Sequence, residues 1–221
     1  MINDDLIKIH DLMFERFGSQ NWWPGDSRFE VIVGAILTQN TNWANVEKAI
    51  ANLTSADSLT PAKLHHMDFE KLASLIRPAG YYNIKARRLK NFLDWLFADY
   101  GGETDLLDRI GTSQLRNELL QIKGIGYETA DSILLYAFER PVFVVDTYTH
   151  RIMTRHGLVE PDADYNQLQE LFQSNLPEDV KMFNEYHALL VQVGKQFCRP
   201  KARCENCPLN SHSHQTEIEF F

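Results

Sequence analysis

Three observations in this chain of 221 residues predict an all-α fold. Apolar residues recur at i, i+3 and i+4 through most of its length, the spacing that gives a helix one face to bury. Short Gly, Pro, Asp and Asn punctuations separate these segments at helix-sized intervals. A single run, Val142 to Val145, is strand-like, and it is too short to support a sheet.

The elements follow in order. Leu6, Ile9, Leu12, Met13 and Phe17 mark an amphipathic first helix. Ser27-Arg28-Phe29-Glu30 reads as a capping box opening a second helix through Val31, Val33, Ile36 and Leu37. Further helices are expected near 42–53, 69–76, 84–99, 113–121, 127–138, 147–155, 164–174 and 179–196. No internal repeat, low-complexity segment or long linker interrupts them.

Composition narrows the partners. Hydrophobic residues make up 44% of the chain, too many for a disordered protein, and no apolar run reaches the length of a bilayer span. Met1-Ile2-Asn3-Asp4-Asp5 lacks the basic start and apolar stretch of a signal peptide, so a soluble cytoplasmic protein is expected, with no membrane partner. The formal net charge of −8 argues against a nucleic-acid partner. Basic residues are nevertheless clustered: Arg77, Lys85, Arg87, Arg88 and Lys90 form one group, Lys195, Arg199, Lys201 and Arg203 a second. Such strips either face phosphate on an acidic protein or are ordinary solvated helix faces.

The richest stretch is Leu120-Gln121-Ile122-Lys123-Gly124-Ile125-Gly126-Tyr127-Glu128-Thr129-Ala130. An apolar helix end runs into a Gly-Ile-Gly turn and another helix starts at once. Glycines turn tightly at low steric cost and let backbone N–H groups face an anion. The following helix adds its positive dipole end, which suits a phosphate. Downstream, Val142-Phe143-Val144-Val145 delivers one carboxylate, Asp146, to the start of another helix at Thr147. Asp146 suits an N-cap there, a role compatible with chemistry. A phosphate grip with a lone carboxylate points to reactions on a nucleic-acid backbone or base. Near the C-terminus, Cys198-x5-Cys204-x2-Cys207 argues for metal over disulfide in a cytoplasmic protein.

The hairpin with the spaced Val145-Asp146-Thr147 resembles the helix-hairpin-helix and Gly/Pro…Asp loop of the endonuclease III-like (HhH-GPD) DNA glycosylases. The likeness runs from Phe29-Glu30 through Leu37-Thr38-Gln39-Asn40-Thr41 to the cysteine-rich tail. Trp22-Trp23-Pro24, Gln39-Asn40-Thr41 and Arg77-Pro78-Ala79-Gly80-Tyr81-Tyr82 are similar to the monofunctional 3-methyladenine glycosylase branch.

That resemblance implies two helical lobes with an interlobe cleft for DNA. Residues 24–139 would be a helical barrel ending in the hairpin; 1–23 plus 140–221 would carry the catalytic aspartate and cysteine loop. It implies a monomer that acts on double-stranded DNA and flips a damaged base out of the stack. Asp146 would be the catalytic aspartate, stabilising the oxocarbenium-like sugar and positioning water. Glu128 stands where endonuclease III has its Schiff-base lysine, and a carboxylate cannot form that adduct. A monofunctional enzyme that leaves an abasic site is therefore expected. Glu128 otherwise complements its helix dipole, and Lys123 is an amine on the wrong side of the turn.

A purine methylated at a ring nitrogen is cationic, and Trp22, Trp23 and Trp43, with Tyr127 and Glu128, would line the base pocket. One tryptophan of the adjacent pair is expected to be packing, and Trp43 suits a core equally. Gln39 would fill the gap left by the flipped nucleotide, with Asn40 beside it, although both also suit an ordinary turn. Gly124 and Gly126, flanked by Lys123 and Thr129, would hold the backbone, with a monovalent cation on neighbouring carbonyls. The cysteines resemble the family's four-cysteine [4Fe–4S] loop, with Ser213, between His212 and His214, at the place of the fourth. A cluster with a His or exogenous ligand, a Cys3His zinc site and an empty site all remain open. Alternative functions are a glycosylase for oxidised pyrimidine or mispaired adenine, and a non-catalytic helix-hairpin-helix DNA-binding protein.

Overall fold

The structure, a computed structural model, describes residues 2–218. In chain order the helices are α1 (Ile2–Phe17), α2 (Arg28–Leu37), α3 (Trp43–Ser55), α4 (Pro61–His66), α5 (Phe69–Leu75), α6 (Tyr82–Tyr100), α7 (Thr112–Gln121), α8 (Tyr127–Ser132), α9 (Thr147–Arg155), α10 (Tyr165–Gln173) and α11 (Val180–Gln196). Tight turns of helix occupy Arg77–Ala79 and Thr104–Arg109, and α8 continues as a wider turn over Ile133–Ala137. The described residues contain no strand, so the fold is all-α. The chain folds as two compact units, one of residues 1–23 with 141–221 and the other of residues 24–140.

The 24–140 unit is built round α2, whose residues from Val31 to Leu37 are all buried. A helix apolar on every side belongs in the middle of a bundle, and α3, α6, α8 and the Ile133–Ala137 turn pack on it. Ser27 accepts from the Glu30 N–H at 3.2 Å, but the Glu30 carboxylate takes the Asp26 N–H at 3.3 Å. The expected capping box is thus half formed: Glu30 reaches back one residue further than Ser27. Lys85, 1% exposed, donates from Nζ to the Ala79 carbonyl at 2.7 Å, tying α6 to the Arg77–Ala79 turn. Burial pushes its pKa down to about 8, helped by the charge of Arg88. Helix α4 lies outside the helices expected from the sequence; Thr60 caps it and Pro61 occupies its first turn.

In the other unit, α1 and α9 pack on α11. Leu6, Ile9 and Met13 form the buried stripe of α1, and the Tyr186 hydroxyl of α11 donates to the Leu6 carbonyl at 2.8 Å. Phe143 stacks on Phe172 at 3.8 Å between ring centres, with Phe183 and Tyr186 edge-on. Gly194 lets α11 approach α9: a Cβ there would stand 2.2 Å from Tyr148 Cδ1.

The strand-like run 142–145 is buried without a strand to pair with among the described residues. Side chains supply partners at Phe143 and Val145 instead. Phe143 N–H donates to Gln173 Oε1 at 2.9 Å, and Gln169 Nε2 donates to the Phe143 carbonyl at 2.7 Å. Val145 N–H reaches the Tyr165 hydroxyl at 3.4 Å. At these groups side chains stand in for ladder partners.

Candidate functional site

The hairpin lies in the 24–140 unit, between α7 and α8. Ile125 N–H closes the turn on the Ile122 carbonyl at 3.0 Å, and the Ile125 side chain is 5% exposed, anchoring it. Gly124 has φ +101°, where a side chain would be strained, and a Cβ would meet Arg88 Cγ at 2.4 Å. Gly126 differs from expectation. Its φ of −99° suits any residue and nothing lies within 4 Å of a Cβ there, so turning alone does not require glycine.

Side chains of α6 and the Gln39 turn hold this hairpin. Gln39 Nε2 donates to the Gly124 carbonyl at 3.1 Å and to Thr129 Oγ1 at 2.8 Å, while Arg88 donates to Gln39 Oε1. Asn91, three residues beyond Arg88, donates to the Lys123 carbonyl at 2.8 Å. The carbonyls of Ile122, Lys123 and Gly124 thus already accept protein hydrogen bonds. A cation on them would have to share these lone pairs. Thr129 is buried, Lys123 and Glu128 are exposed, and Glu128 lies in the first turn of α8. Asn40 is exposed with φ +53°, a left-handed conformation that Asn tolerates. Trp43 opens α3, half-buried. Tyr127 is 44% exposed with the Arg116 guanidinium 5.2 Å from its ring centre. Arg116 in turn grips the fully buried Asp131 with two hydrogen bonds, 2.6 and 2.8 Å.

Asp146, Trp22 and Trp23 belong to the other unit. Asp146 caps α9: its Oδ1 accepts from the Thr149 N–H at 2.7 Å and the Thr149 hydroxyl at 2.9 Å. Its Oδ2 lies 3.6 Å from His187 Nε2, and 12% of the side chain remains exposed. Burial alone would push this carboxyl up; His187 and the two Thr149 donors outweigh it and hold the pKa below the ordinary 3.8. The group is therefore an ionised, largely desolvated carboxylate. Thr149 could be anticipated from N-cap spacing, but His187, forty-one residues downstream, carried no local signal. Trp22 and Trp23 are half-buried and meet edge to face, ring centres 5.0 Å apart at 61°.

The three cysteines line one cavity with Ile152, Val193, Phe197, Leu209, His156 and His214. Arg155, 3% exposed, donates to Cys198 Sγ at 3.2 Å and to the Arg199 and Pro200 carbonyls at 2.7 Å. Burial pushes the Cys207 thiol up to about 11, with Cys204 and Cys198 beside it adding to the rise. The fourth-ligand candidates separate: Ser213 is exposed, and His212 turns its Nε2 to Asp5 at 3.4 Å. His214 lines the cavity, with Nδ1 on the His212 carbonyl at 2.8 Å. His156, which no motif in the sequence singles out, also lines it.

Among the described residues no three His, Cys, Asp or Glu side chains converge to hold a metal ion. Three soft sulfurs round one cavity, with a buried guanidinium against one of them, suit the thiolate donor set of an anionic iron–sulfur cluster.

Residues 33–178 match the profile of the HhH-GPD superfamily of base excision DNA repair proteins. A candidate DNA repair glycosylase of Methanocaldococcus jannaschii is 50% identical over 206 residues, 92% of this chain and 93% of its own. Endonuclease III of Thermotoga maritima is 33% identical over 186 residues, 83% of this chain and 81% of its own. Among solved structures, the H. pylori 3-methyladenine DNA glycosylase bound to 1,N6-ethenoadenine superposes with a TM-score of 0.76. It is 30% identical, covering 88% of this chain and 97% of its own. An endonuclease III–DNA complex shares the fold, with a TM-score of 0.81 at 23% identity over 96% of this chain and 94% of its own.

Proposed function

Since the chain belongs to the HhH-GPD superfamily of base excision DNA repair proteins, and is a DNA glycosylase of that superfamily, we propose that it hydrolyses the N-glycosidic bond of an alkylated purine, 3-methyladenine foremost, in double-stranded DNA, without cleaving the strand. The observation that carries this reading is Asp146: a carboxylate kept ionised by His187 and Thr149 in a poorly hydrated place. As the base departs, positive charge grows on the sugar, and a fixed anion stabilises it far better there than in water. The exposed part of the carboxylate can orient the water that attacks C1′, accepting its proton as the C1′–O bond forms. The electrons of the broken C1′–N bond leave with the base.

The hairpin supplies grip without sequence preference. Its backbone turn takes phosphate, Lys123 adds charge, and Gln39 with Asn40 enters the gap left by the nucleotide. Trp22, Trp23, Trp43 and Tyr127 offer faces for an electron-poor methylated ring. The likeness to the H. pylori 3-methyladenine glycosylase supports that substrate class. Glu128 supports the absence of lyase chemistry, because no amine stands at the position after the hairpin.

We further propose that Cys198, Cys204 and Cys207, with His214 the imidazole lining the same cavity, hold a [4Fe–4S] cluster. Its role is to fold the tail against α9, where Arg155 offsets the charge of the thiolates. Absorption near 400 nm and iron analysis of anaerobically purified protein test this. The function is tested on methylated duplex DNA with and without alkali. Abasic sites that break only after alkali are expected. Strand breaks without alkali, or a borohydride-trapped adduct, would refute the monofunctional reading. A panel of oxidised and mispaired lesions tests the substrate class, and preference for one of those over methylated DNA would overturn it.

A further inference from the structure

We propose that Arg88 is a positioning residue that acts through Gln39, fixing the wedge side chain at the hairpin and coupling its movement to capture of the strand. The inference rests on the reading of Gln39 as the residue that fills the gap in flipped DNA.

The Gln39 amide is committed inside the protein. Both Nε2 hydrogens are spent, one on the Gly124 carbonyl and one on Thr129 Oγ1, and Oε1 accepts from Arg88. An amide held in this way cannot enter a base stack without giving up all three bonds. Arg88 packs along the hairpin. Its stem lies where a Cβ on residue 124 would stand, 2.4 Å from Arg88 Cγ, so glycine at 124 makes room for the arginine as well as for the turn. Asn91, on the same face of α6, clasps the Lys123 carbonyl. One helix thereby fixes both the hairpin and, through Arg88, the wedge.

The chemistry provides a release. A guanidinium carries five N–H donors, more than one amide oxygen can use. A phosphate oxygen arriving at Gly124 offers a charge-assisted partner stronger than the neutral Gln39 oxygen. Phosphate capture therefore draws Arg88 away and breaks the first of the three bonds as the strand seats, leaving the two on Nε2 to be given up on insertion. In an Arg88→Ala chain the amide keeps its two Nε2 bonds but loses the one on Oε1, and insertion begins from a less closely fixed orientation.

A double-mutant cycle on single-turnover excision from methylated duplex tests this. Arg88→Ala is expected to slow excision about tenfold in the otherwise wild-type chain and less than about twofold in a Gln39→Ala background. Equal slowing in both backgrounds would show a merely structural arginine, and no slowing in the first would remove the role altogether. The second readout is the Gln39 side-chain amide in 15N-labelled protein, with and without a duplex bearing a tetrahydrofuran abasic analogue. In wild type its resonances and the Arg88 Nε–H should move together on binding; in Arg88→Ala the amide should already be displaced without DNA. An unmoved Gln39 amide in free Arg88→Ala overturns the proposal. If wild-type protein excises nothing from methylated duplex, the alkylated-purine reading fails, and the amide experiment, which needs only DNA binding, still decides the coupling.

Discussion

Replacing Asp146 with Asn separates charge from architecture. Asn keeps an oxygen for the Thr149 N–H and hydroxyl, now 2.7 and 2.9 Å away. Because Asn and Asp cap helices about equally well, the start of α9 survives. What goes is the negative charge. At about 4 Å from a sugar cation and an effective dielectric of about 20, that charge is worth about 4 kcal/mol. At about 1.4 kcal/mol per decade, the chemical step slows by roughly three orders of magnitude. Stability moves far less, by about 1 kcal/mol, a change of about 2–4 °C in Tm. Asp146→Ala also loses the cap, for about 1 kcal/mol more, with the same loss of activity. Single-turnover excision from methylated duplex, with calorimetry and binding to abasic-site DNA alongside, checks each part. An Asn variant that folds and works within tenfold of wild type would refute the catalytic assignment and the electrostatic argument beneath it.

Three further outcomes follow from the packing and titration of the fold. Gly194→Ala places a Cβ 2.2 Å from Tyr148 Cδ1 and should cost about 1–3 kcal/mol through forced separation of α9 and α11, seen in thermal unfolding. Arg116→Met leaves the fully buried Asp131 without its bidentate partner and should cost about 3–5 kcal/mol in denaturant, with Asp131→Asn milder. The depressed Asp146 pKa means the unfolded chain binds its proton first as pH falls. Its stabilising contribution is complete above the ordinary 3.8 and disappears as pH drops through the lower folded value. Asp146→Asn should flatten this acid limb of stability against pH, and an unchanged limb would contradict the assigned shift.

The helical architecture was legible because amphipathic spacing is a local signal, and α1, α9 and α11 are found where apolar periodicity places them. Helix α4 escaped because six residues make less than two turns, too few for a period, although Thr60-Pro61 carried its start signal. The Ser27 box was half legible, since its oxygen does cap α2 while Glu30 takes a different N–H. At the candidate site, the Asp146 cap was visible from spacing, whereas His187 and Arg88 are joined to their partners only by folding. Three residues suit a fourth ligand equally in sequence; of these only His214 lines the cavity of the cysteines, while His212 turns to Asp5. The need for glycine at 126 was read from a motif, and its backbone torsions show no such need.

The approach to Asp146 through residues 142–145 is suspended from two glutamines and a tyrosine instead of being zipped to a neighbouring strand. A ladder would lock that segment in register, and its aim could change only in whole-residue steps. Hung from long side chains, the segment has its aim set by the reach of Gln169, Gln173 and Tyr165 together with the packing of Phe143 on Phe172, Phe183 and Tyr186. A scaffold of this kind can be retuned from one leaving group to another by altering its suspension, leaving the acid itself untouched.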